Sequence, residues 1–391
     1  MLPLLQGLFN GVSIGSVLLI AALGLAIVFG LMGVINLAHG ELMMLGAYST
    51  FVVQNGFKIL GEPWSSIYIF AALPVAFIVA ALVGLALERG AIRFLYGRPL
   101  ETLLATWGVS LILRQFVRSA NWPLLAGLSL LVVLFFGAWV ILTRVLSPEQ
   151  WRSRRLVLLL TNLGVSLGLA ITTAALLWQT LPDDWVRPWF GPRNVDVTAP
   201  AWLRGGIPIG TFQLPYARIF IIVLTVLCLV GMYWFLNASS WGLRIRAVTQ
   251  NRDMSACLGI DTGRVDALTF ALGSGLAGVA GVAIALLGSV GPNTGQNYIV
   301  DTFMVVVVGG VGNLLGTIIA ALVIGSFTFI IGSGAIALLL SNAEAPAALV
   351  EFFNFFATTS MAKVMVFAAI IAFLQFRPAG IFPPKGRTAE L

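Results

Sequence analysis

Long apolar segments, separated by short polar and basic breaks, dominate the pattern of hydrophobic and polar positions along this chain. Segments such as 67–87 and 219–236 are apolar at every position of the helical period, and each approaches the ~20 residues that a helix needs to cross a bilayer. A membrane-spanning barrel would instead show segments of alternating polarity. The pattern therefore predicts an all-α, polytopic membrane protein.

Roughly eight to ten membrane segments are predicted, depending on how two interrupted regions are counted. The first region, 4–37, is too long for one ordinary span and continues past a polar break into 41–53, and the second, 301–331, is broken by glycines. The first segment lacks the basic start and cleavage site of a removable signal, so it is predicted to be a span. The other predicted spans are 67–87, 100–117, 124–142, 156–181, 219–236, 265–287 and 364–376.

Arginines cluster at the ends of these segments and predict the orientation of the loops. The basic loops 88–99, 144–156 and 241–264 and the closing stretch 377–387 are predicted to be cytoplasmic. The stretch 182–216, rich in Pro, Gly and Trp, is predicted to be the largest external loop. The whole chain, 1–391, is predicted to form one transmembrane domain.

Composition supports the membrane assignment and excludes other classes. With 59% hydrophobic and 9% charged residues and a mean hydropathy of +1.00, the chain cannot cover a water-facing surface. The net charge of +7 belongs to arginines at segment ends, so no nucleic-acid partner is expected. Two cysteines and one histidine provide neither a disulfide framework nor a plausible metal site.

The basic loop 241–264 has the size and pattern of a short helix between two spans. Asn251 or Asp253 can cap the start of this helix, and Gly259 lies where a left-handed residue would end it. The alternative is a solvated turn that arginines anchor at the lipid headgroups.

The first break concentrates Asn36, His39 and Glu41 at bilayer depth, where polar groups are costly unless they face a bundle interior or a water-filled path. These three residues are therefore candidates for lining a solute path. His39 and Glu41 are two positions apart, which places them on nearly opposite sides of a regular helix and argues against an acid/base pair. The alternative is a helix junction in which Asn36 and Glu41 cap free backbone groups.

The second break, VVVVGGVGNLLG, places a glycine cluster at membrane depth. Irregular backbone is tolerated there only where protein buries it or where it lines a cavity, so Gly309, Gly310, Gly312 and Asn313 are candidates for a gate or a re-entrant turn. The alternative is close helix packing through small residues. The stretch 273–278 matches a dinucleotide-binding pattern, but it follows no strand and lies in a span, where its small residues predict a helix-packing stripe.

No P-loop, HExxH or G-x-S-x-G motif is present in the sequence, and no catalytic residue or bound cofactor is predicted. The chain is therefore not expected to be an enzyme. A transport subunit driven by a separate ATPase fits these features best.

Five blocks follow one another along the chain: VINLAHGELMMLGAY, ERGAIRFLYGRPLETLLATWGVSLIL, LRIRAVTQNRDMSACLGIDTGRVDALTFALGSGLAGVAGV, GQNYIVDTFMVVVVGGVGN and RPAGIFPPKGR. Together they resemble the LivH-type permeases of the branched-chain amino acid ABC importer family, across about 4–118 and 190–387. Within that family the blocks most resemble the B-type permease subunit of the urea importer.

The resemblance implies a single permease domain in the bacterial inner membrane that works with four kinds of neighbour: a second homologous permease, two cytoplasmic ATPases, an external solute-binding protein and the lipid bilayer. ATP would be used by the partner subunits, and solute would cross by alternating access. In such importers the short cytoplasmic helix docks in the ATPase. The matching positions run from Arg246 to Gly259, with Arg252 and Asp253 as exposed contacts, Ala256 and Leu258 packing, and Gly259 ending the helix.

One departure from the family pattern is an insertion of about 70 residues at 120–189, which is predicted to be a helical hairpin with a basic cytoplasmic turn. An even number of added spans preserves the orientation of everything downstream.

The solute is expected to be urea, from the resemblance and from the scarcity of charge within the spans, since a neutral solute needs amide and hydroxyl partners but no fixed charge. A branched-chain amino acid or a short-chain amide is the alternative solute. A second alternative is a channel or secondary transporter that needs no ATPase.

Overall fold

Helices make up almost all of the regular structure in the computed structural model, which describes residues 2–145, 148–209, 212–342 and 346–382. The all-α, polytopic fold is confirmed: eight of the described helices are long and apolar enough to cross a membrane. The described helices are α1 (Leu2–Met32), α2 (His39–Ile59), α3 (Trp64–Gly90), α4 (Pro99–Ser119), α5 (Trp122–Val145), α6 (Pro148–Thr180), α7 (Asp183–Val186), α8 (Tyr216–Ala238), α9 (Ser240–Gln250), α10 (Arg252–Cys257), α11 (Thr262–Leu287), α12 (Thr294–Gly309), α13 (Leu314–Gly332), α14 (Ala335–Asn342), α15 (Ala347–Phe355) and α16 (Thr359–Phe376).

Both interruptions predicted from the sequence are present. The first long region divides into α1 and α2, and the second divides into α12 and α13. The closing stretch predicted as a cytoplasmic tail is described only as far as residue 382, and 383–387 lie outside the described residues.

Four elements were not predicted. The stretch predicted as the external loop contains an antiparallel pair of strands, β1 (Gly206–Ile209) and β2 (Phe212–Pro215). Between α13 and α16 the chain also forms α14 and α15, of 8 and 9 residues. At 1.5 Å of rise per residue these two helices are too short to cross a bilayer. Their apolar runs are therefore too short to predict them as spans.

The chain divides into two compact units, one formed by Met1–Leu111 with Val195–Leu391 and the other by Ile112–Asn194. The core of the first unit is built on α1 and α11, which are largely buried. Glycines let these helices approach their neighbours: a Cβ on Gly24 would overlap the backbone of Gly273, and one on Gly281 would overlap that of Met43. The small-residue packing stripe predicted for α11 is thus confirmed.

The second unit contains the antiparallel hairpin of α5 and α6, which is followed by α7. A tryptophan cluster lies at the end of the hairpin where α5 begins. The Trp122 ring contacts those of Trp185 and Trp189, with centroids 5.6 and 4.9 Å away. At the same end of the hairpin, the backbone N of Trp189 donates a hydrogen bond of 2.9 Å to Ala120 O. The two ends of the segment predicted as an insertion are therefore adjacent.

This adjacency leads to a prediction about the hairpin. Joining Ser119 to Phe190, which removes 120–189, should leave the amount of protein in the membrane and the solute uptake near those of the full chain, because the cut connects neighbouring points and preserves orientation. The measurement is membrane abundance by immunoblot together with uptake by intact cells. Removing α3 and α4 is the control, since it also deletes two helices but takes α3 from the core around α11; loss of the protein in both deletions would contradict a dispensable insertion.

Candidate functional site

The link between α1 and α2 is a stretch of irregular backbone in which buried and partly buried residues alternate after the exposed Gly33. Gly33, with φ of 67°, ends α1, and Val34, Asn36 and Ala38 in the link are each almost fully buried. Asn36 Oδ1 accepts a hydrogen bond of 3.0 Å from Ala38 N and so satisfies a backbone group just before α2. The interpretation of Asn36 as a junction residue is confirmed, and its role in lining a path stays a prediction.

His39 and Glu41 contact different helices, as their two-residue spacing predicts. His39 is fully buried, and its Nε2 lies 3.0 Å from Ala21 O on α1, an arrangement in which the ring donates to the carbonyl. Glu41, also buried, accepts a hydrogen bond of 3.0 Å at Oε1 from Ser110 Oγ on α4. The histidine thus holds the start of α2 against α1, and the two side chains do not form an acid/base pair.

A stripe of hydroxyl groups on α4 faces this break, and the sequence analysis missed it. Thr102, Thr106 and Ser110 recur every four residues and are all buried. Thr106 Oγ1 accepts a hydrogen bond of 3.2 Å from Leu37 N in the irregular link. The four-residue spacing of hydroxyls within an apolar helix is the signal that could have identified them.

The glycine break between α12 and α13 forms a tight turn. Gly310 and Gly312 have φ values of 101° and 82°, and Asn313 Oδ1 accepts a hydrogen bond of 3.2 Å from Gly316 N, which caps α13. Gly309 faces Gly316 so closely that a Cβ on either would overlap the other's backbone. Close packing of small residues is therefore observed here, and a gating role stays a prediction.

The neighbours of this turn differ from those of the first break. The turn packs against Gly30 near the end of α1 and against Phe382, while Ile381 N donates a hydrogen bond of 2.8 Å to Val308 O. The break at 36–41 contacts Ala21 and α4 instead. The two sets of candidate path residues are thus held by different surroundings within the first unit.

The segment 241–264, which the sequence predicts to be cytoplasmic, differs from the single short helix predicted for it, because it is formed by two helices, α9 and α10. Asn251 separates them: its backbone is extended, with φ of −154°, and its Oδ1 accepts a hydrogen bond of 2.9 Å from Met254 N. The cap predicted at Asn251 or Asp253 is therefore Asn251. Ser239 caps α9 in the same way by accepting a hydrogen bond from Gly242 N.

Gly259 follows α10 in the left-handed conformation predicted for it, with φ of 81°. Gly259 N donates to Ala256 O and Ile260 N donates to Ser255 O, both at 3.0 Å, which is the pattern of a Schellman motif. This local hydrogen bonding ends the helix after a turn and a half.

Ala256 and Leu258 are both exposed, Leu258 by 76%, so neither packs within this chain, and their packing against a partner stays a prediction. The buried residue of α10 is Ser255, since so short a helix presents only one position inward. Asp253 is exposed, and Arg246 lies at the surface with Nη1 3.4 Å from Asn237 Oδ1. The exposed surface of α10 thus carries both apolar and charged groups.

Arg252 is exposed, with its side chain 47% accessible, but it also has partners within the chain, and its contact with an ATPase stays a prediction. Its Nη2 donates a hydrogen bond of 2.6 Å to Asp266 Oδ2 on α11, and the two groups form an ion pair in which the Asp266 side chain is only 4% exposed. The guanidinium also lies over the Tyr96 ring, 5.2 Å from its centroid. Tyr96 lies in the link between α3 and α4, so Arg252 connects α10 to two other elements.

The contacts continue from Tyr96 to α3. The Tyr96 hydroxyl donates a hydrogen bond of 3.1 Å to Glu88 Oε1, and Glu88 is almost fully buried. Burial raises the pKa of Tyr96, so its hydroxyl stays protonated and keeps its role as donor. Arg252, Asp266, Tyr96 and Glu88, named here the cytoplasmic cluster, tie the short helix to α3 and α11.

Charge within the spans is less scarce than the sequence analysis assumed. Lys363 Nζ on α16 lies 2.5 Å from Asp301 Oδ2 on α12, and Arg218 lies in the first turns of α8. The sequence placed these residues at the edges of predicted spans, where charged groups serve as anchors. The argument for a neutral solute from missing charge is therefore weakened.

Within the described ranges, no group of three or more His, Cys, Asp and Glu side chains could hold a metal ion. The candidate residues contribute hydrogen bonds, ion pairs and packing.

Comparison with known proteins agrees with this architecture. Residues 7–374 match the family described as branched-chain amino acid transport system / permease component. The permease protein LivH of the high-affinity branched-chain amino acid transport system of Salmonella typhimurium is 27% identical, over 96% of this chain and 94% of its own. The corresponding protein BraD of Pseudomonas aeruginosa is 28% identical over 82% and 84%.

A shorter similarity reaches sugar permeases. The xylose transport system permease protein XylH of Haemophilus influenzae is 32% identical over 27% of this chain and 30% of its own. No solved structure matches the chain.

Proposed function

This chain belongs to the branched-chain amino acid permease family of ABC importers, and we propose that it carries an amino acid of the branched-chain class across the membrane. Members of this family are transport subunits and are not themselves enzymes. The eight apolar helices and the LivH relatives make it a multi-pass protein of the bacterial inner membrane.

The observation that supports transport driven by a partner ATPase is the attachment of α10 to the transmembrane core. α10 presents Met254 and Leu258 to the cytoplasm, 58% and 76% exposed, beside the charged Asp253. An apolar and charged surface of this kind suits a protein partner. The ion pair between Arg252 and Asp266 connects that surface to α11, the helix at the centre of the first unit.

Permeases of ABC importers work with ATPase subunits and a solute-binding protein in general. For this chain we propose two ATPases below the membrane, one contacting α10, and a second homologous permease beside it. ATP binding and hydrolysis would then move α10, and the cytoplasmic cluster would transmit the movement to α3 and α11. The cofactor, ATP, would be bound by the partners.

An amino acid is favoured over urea as solute. The urea subtype has no support among the relatives, several of which carry branched-chain amino acid transport in their names. The structure also places Arg218 and the ion pair of Asp301 with Lys363 in the helices, so charged groups are available for a charged solute.

Uptake by intact cells tests this proposal. Cells that have or lack the chain are given labelled leucine and labelled urea in parallel at micromolar concentration. Loss of leucine uptake alone is expected. Loss of urea uptake alone would restore the urea assignment, and unchanged uptake of both would reject both solutes. Restoring the chain from a plasmid is the control that the loss comes from this chain.

A further inference from the structure

A cavity of about 560 Å³ with both polar and apolar lining opens at the end of the first unit opposite the segment 241–264. It lies among the start of α1, the end of α13, and the short helices α14 and α15. The α8 helix runs from the external loop towards the cytoplasmic segment, and its first turn contacts Asn10 on α1, so this end is external. The volume falls within the range of ~300–1,000 Å³ that is typical of small-molecule sites.

Three side-chain amides line the cavity without any hydrogen bond to other described residues: Gln6, Asn10 and Asn354. Asn10 is the most informative, because it is only 8% exposed. Gln6 and Asn354 are exposed, so Asn10 is the buried amide of the three. A buried amide needs a hydrogen-bond partner, and one that faces a cavity together with two further amides suits a polar ligand. The hydroxyls of Ser333 and Ser341 also line the cavity.

Arg218 lies against the wall of this cavity. It does not line the cavity itself but contacts two residues that do: its Nη1 donates a hydrogen bond of 3.3 Å to Asn10 O, and its guanidinium lies 5.8 Å from the ring centroid of Phe329. Among the residues that the structure describes, no carboxylate forms an ion pair with Arg218. A partly buried guanidinium has five donors in a planar fork that matches a carboxylate, and only one of these donors has a partner here.

The remaining lining is apolar and close to the amides. Leu338 and Val350, from α14 and α15, contribute aliphatic surface on the side formed by the short helices. The cavity thus combines donors for an anion, amide and hydroxyl oxygens for an ammonium group, and an apolar wall.

We propose that this cavity is an outer binding site for an amino acid, in which Arg218 binds the carboxylate. The amide oxygens of Gln6, Asn10 and Asn354 accept hydrogen bonds from the ammonium group, and Leu338 and Val350 contact the aliphatic side chain. This site rests on the proposed transport of an amino acid, and it would receive solute on the external side before the path through the bundle opens.

The test is equilibrium binding of labelled leucine to the full complex of this chain with its partner permease and ATPases, isolated in lipid nanodiscs without the binding protein. Arg218→Gln is expected to weaken leucine binding by about tenfold or more, since a hydrogen-bonded charge pair is lost. Leucinamide, which lacks the carboxylate, should bind the unaltered complex weakly and should be insensitive to Arg218→Gln.

The matched control is Arg204→Gln. Arg204 is exposed and also donates to a backbone carbonyl, with Nε 2.8 Å from Ala199 O, but Ala199 does not line the cavity, whereas Asn10, the partner of Arg218, does. The Arg204→Gln substitution should leave leucine binding unchanged. If Arg218→Gln fails to assemble, Asn354→Leu provides a second variant on a separate helix and should also weaken binding.

Three results would overturn the site. The first is an equal affinity for leucine in the unaltered complex and in the Arg218→Gln variant. The second is the absence of leucine binding to the unaltered complex at millimolar leucine. A loss of association with the binding protein, with leucine binding unchanged, would show that this surface docks that protein instead. Uptake of leucine by intact cells would still support the proposed function in each case, so the two proposals fail separately.

Discussion

Replacing Arg252 with alanine should reduce solute uptake by about tenfold or more, while the amount of the chain in the membrane stays near that of the unaltered protein. The ion pair with Asp266 is the direct link between the exposed helix α10 and the core helix α11. Coupling free energies between sites of ~1–3 kcal/mol correspond to changes of 5- to 150-fold, and this substitution removes such a link. Uptake normalised to membrane abundance measures the effect.

Arg264→Ala is the matched control for Arg252→Ala. Arg264 lies in the same cytoplasmic segment and also pairs with an aspartate, with Nε 2.9 Å from Asp261 Oδ2, but its side chain is 78% exposed. Exposed pairs of this kind contribute ~0–1 kcal/mol, so uptake should change little. Equal losses in both variants would mean that the positive charge of the segment matters and that the link to α11 does not.

Replacing Gly46 with leucine should remove most of the folded protein from the membrane. Gly46 on α2 faces Gly278 on α11, and a Cβ there would overlap the backbone of Gly278. Overpacking costs typically ~1–3 kcal/mol when side chains can adjust, and here backbone would have to move, which forces the two helices apart. Membrane abundance and thermal aggregation in detergent measure the loss.

Gly56→Leu is the control on the same helix. Gly56 is exposed, and a Cβ there would meet no atom within 4 Å. The same substitution should therefore leave abundance and thermal behaviour close to those of the unaltered chain. A similar loss of membrane abundance in both variants would show that leucine on α2 is harmful for another reason, such as impaired insertion into the membrane.

Local signals in the sequence predicted much of this structure. The apolar runs predicted the spans, because burial in lipid requires ~20 apolar residues wherever a helix crosses. Asn251 and Gly259 predicted the ends of α10, because each acts on backbone groups within a few residues of itself.

Contacts between distant segments could not be predicted in the same way. Asp266 and Tyr96 look like ordinary span-end and loop residues in the sequence, and only the packing of α10 brings Arg252 to both of them. The exposed positions of Ala256 and Leu258 likewise depend on which side of α10 faces the bundle.

The prediction of the solute also depends on where the tertiary structure places charged residues. Arg218 lies near the end of an apolar span, where arginines usually anchor a helix at the headgroups. The structure places it instead between α1 and α13, beside Asn10 and Phe329. A carboxylate-bearing solute therefore became the better prediction only once the helices were assembled.

Transport by proteoliposomes tests the central claim most directly. The complex that contains this chain is reconstituted with ATP enclosed and the binding protein outside, and labelled leucine is followed over time. Accumulation above the external concentration, only when ATP is enclosed, is the predicted result. Entry at the same rate without ATP, stopping at equal concentrations, would instead identify a channel and contradict the account.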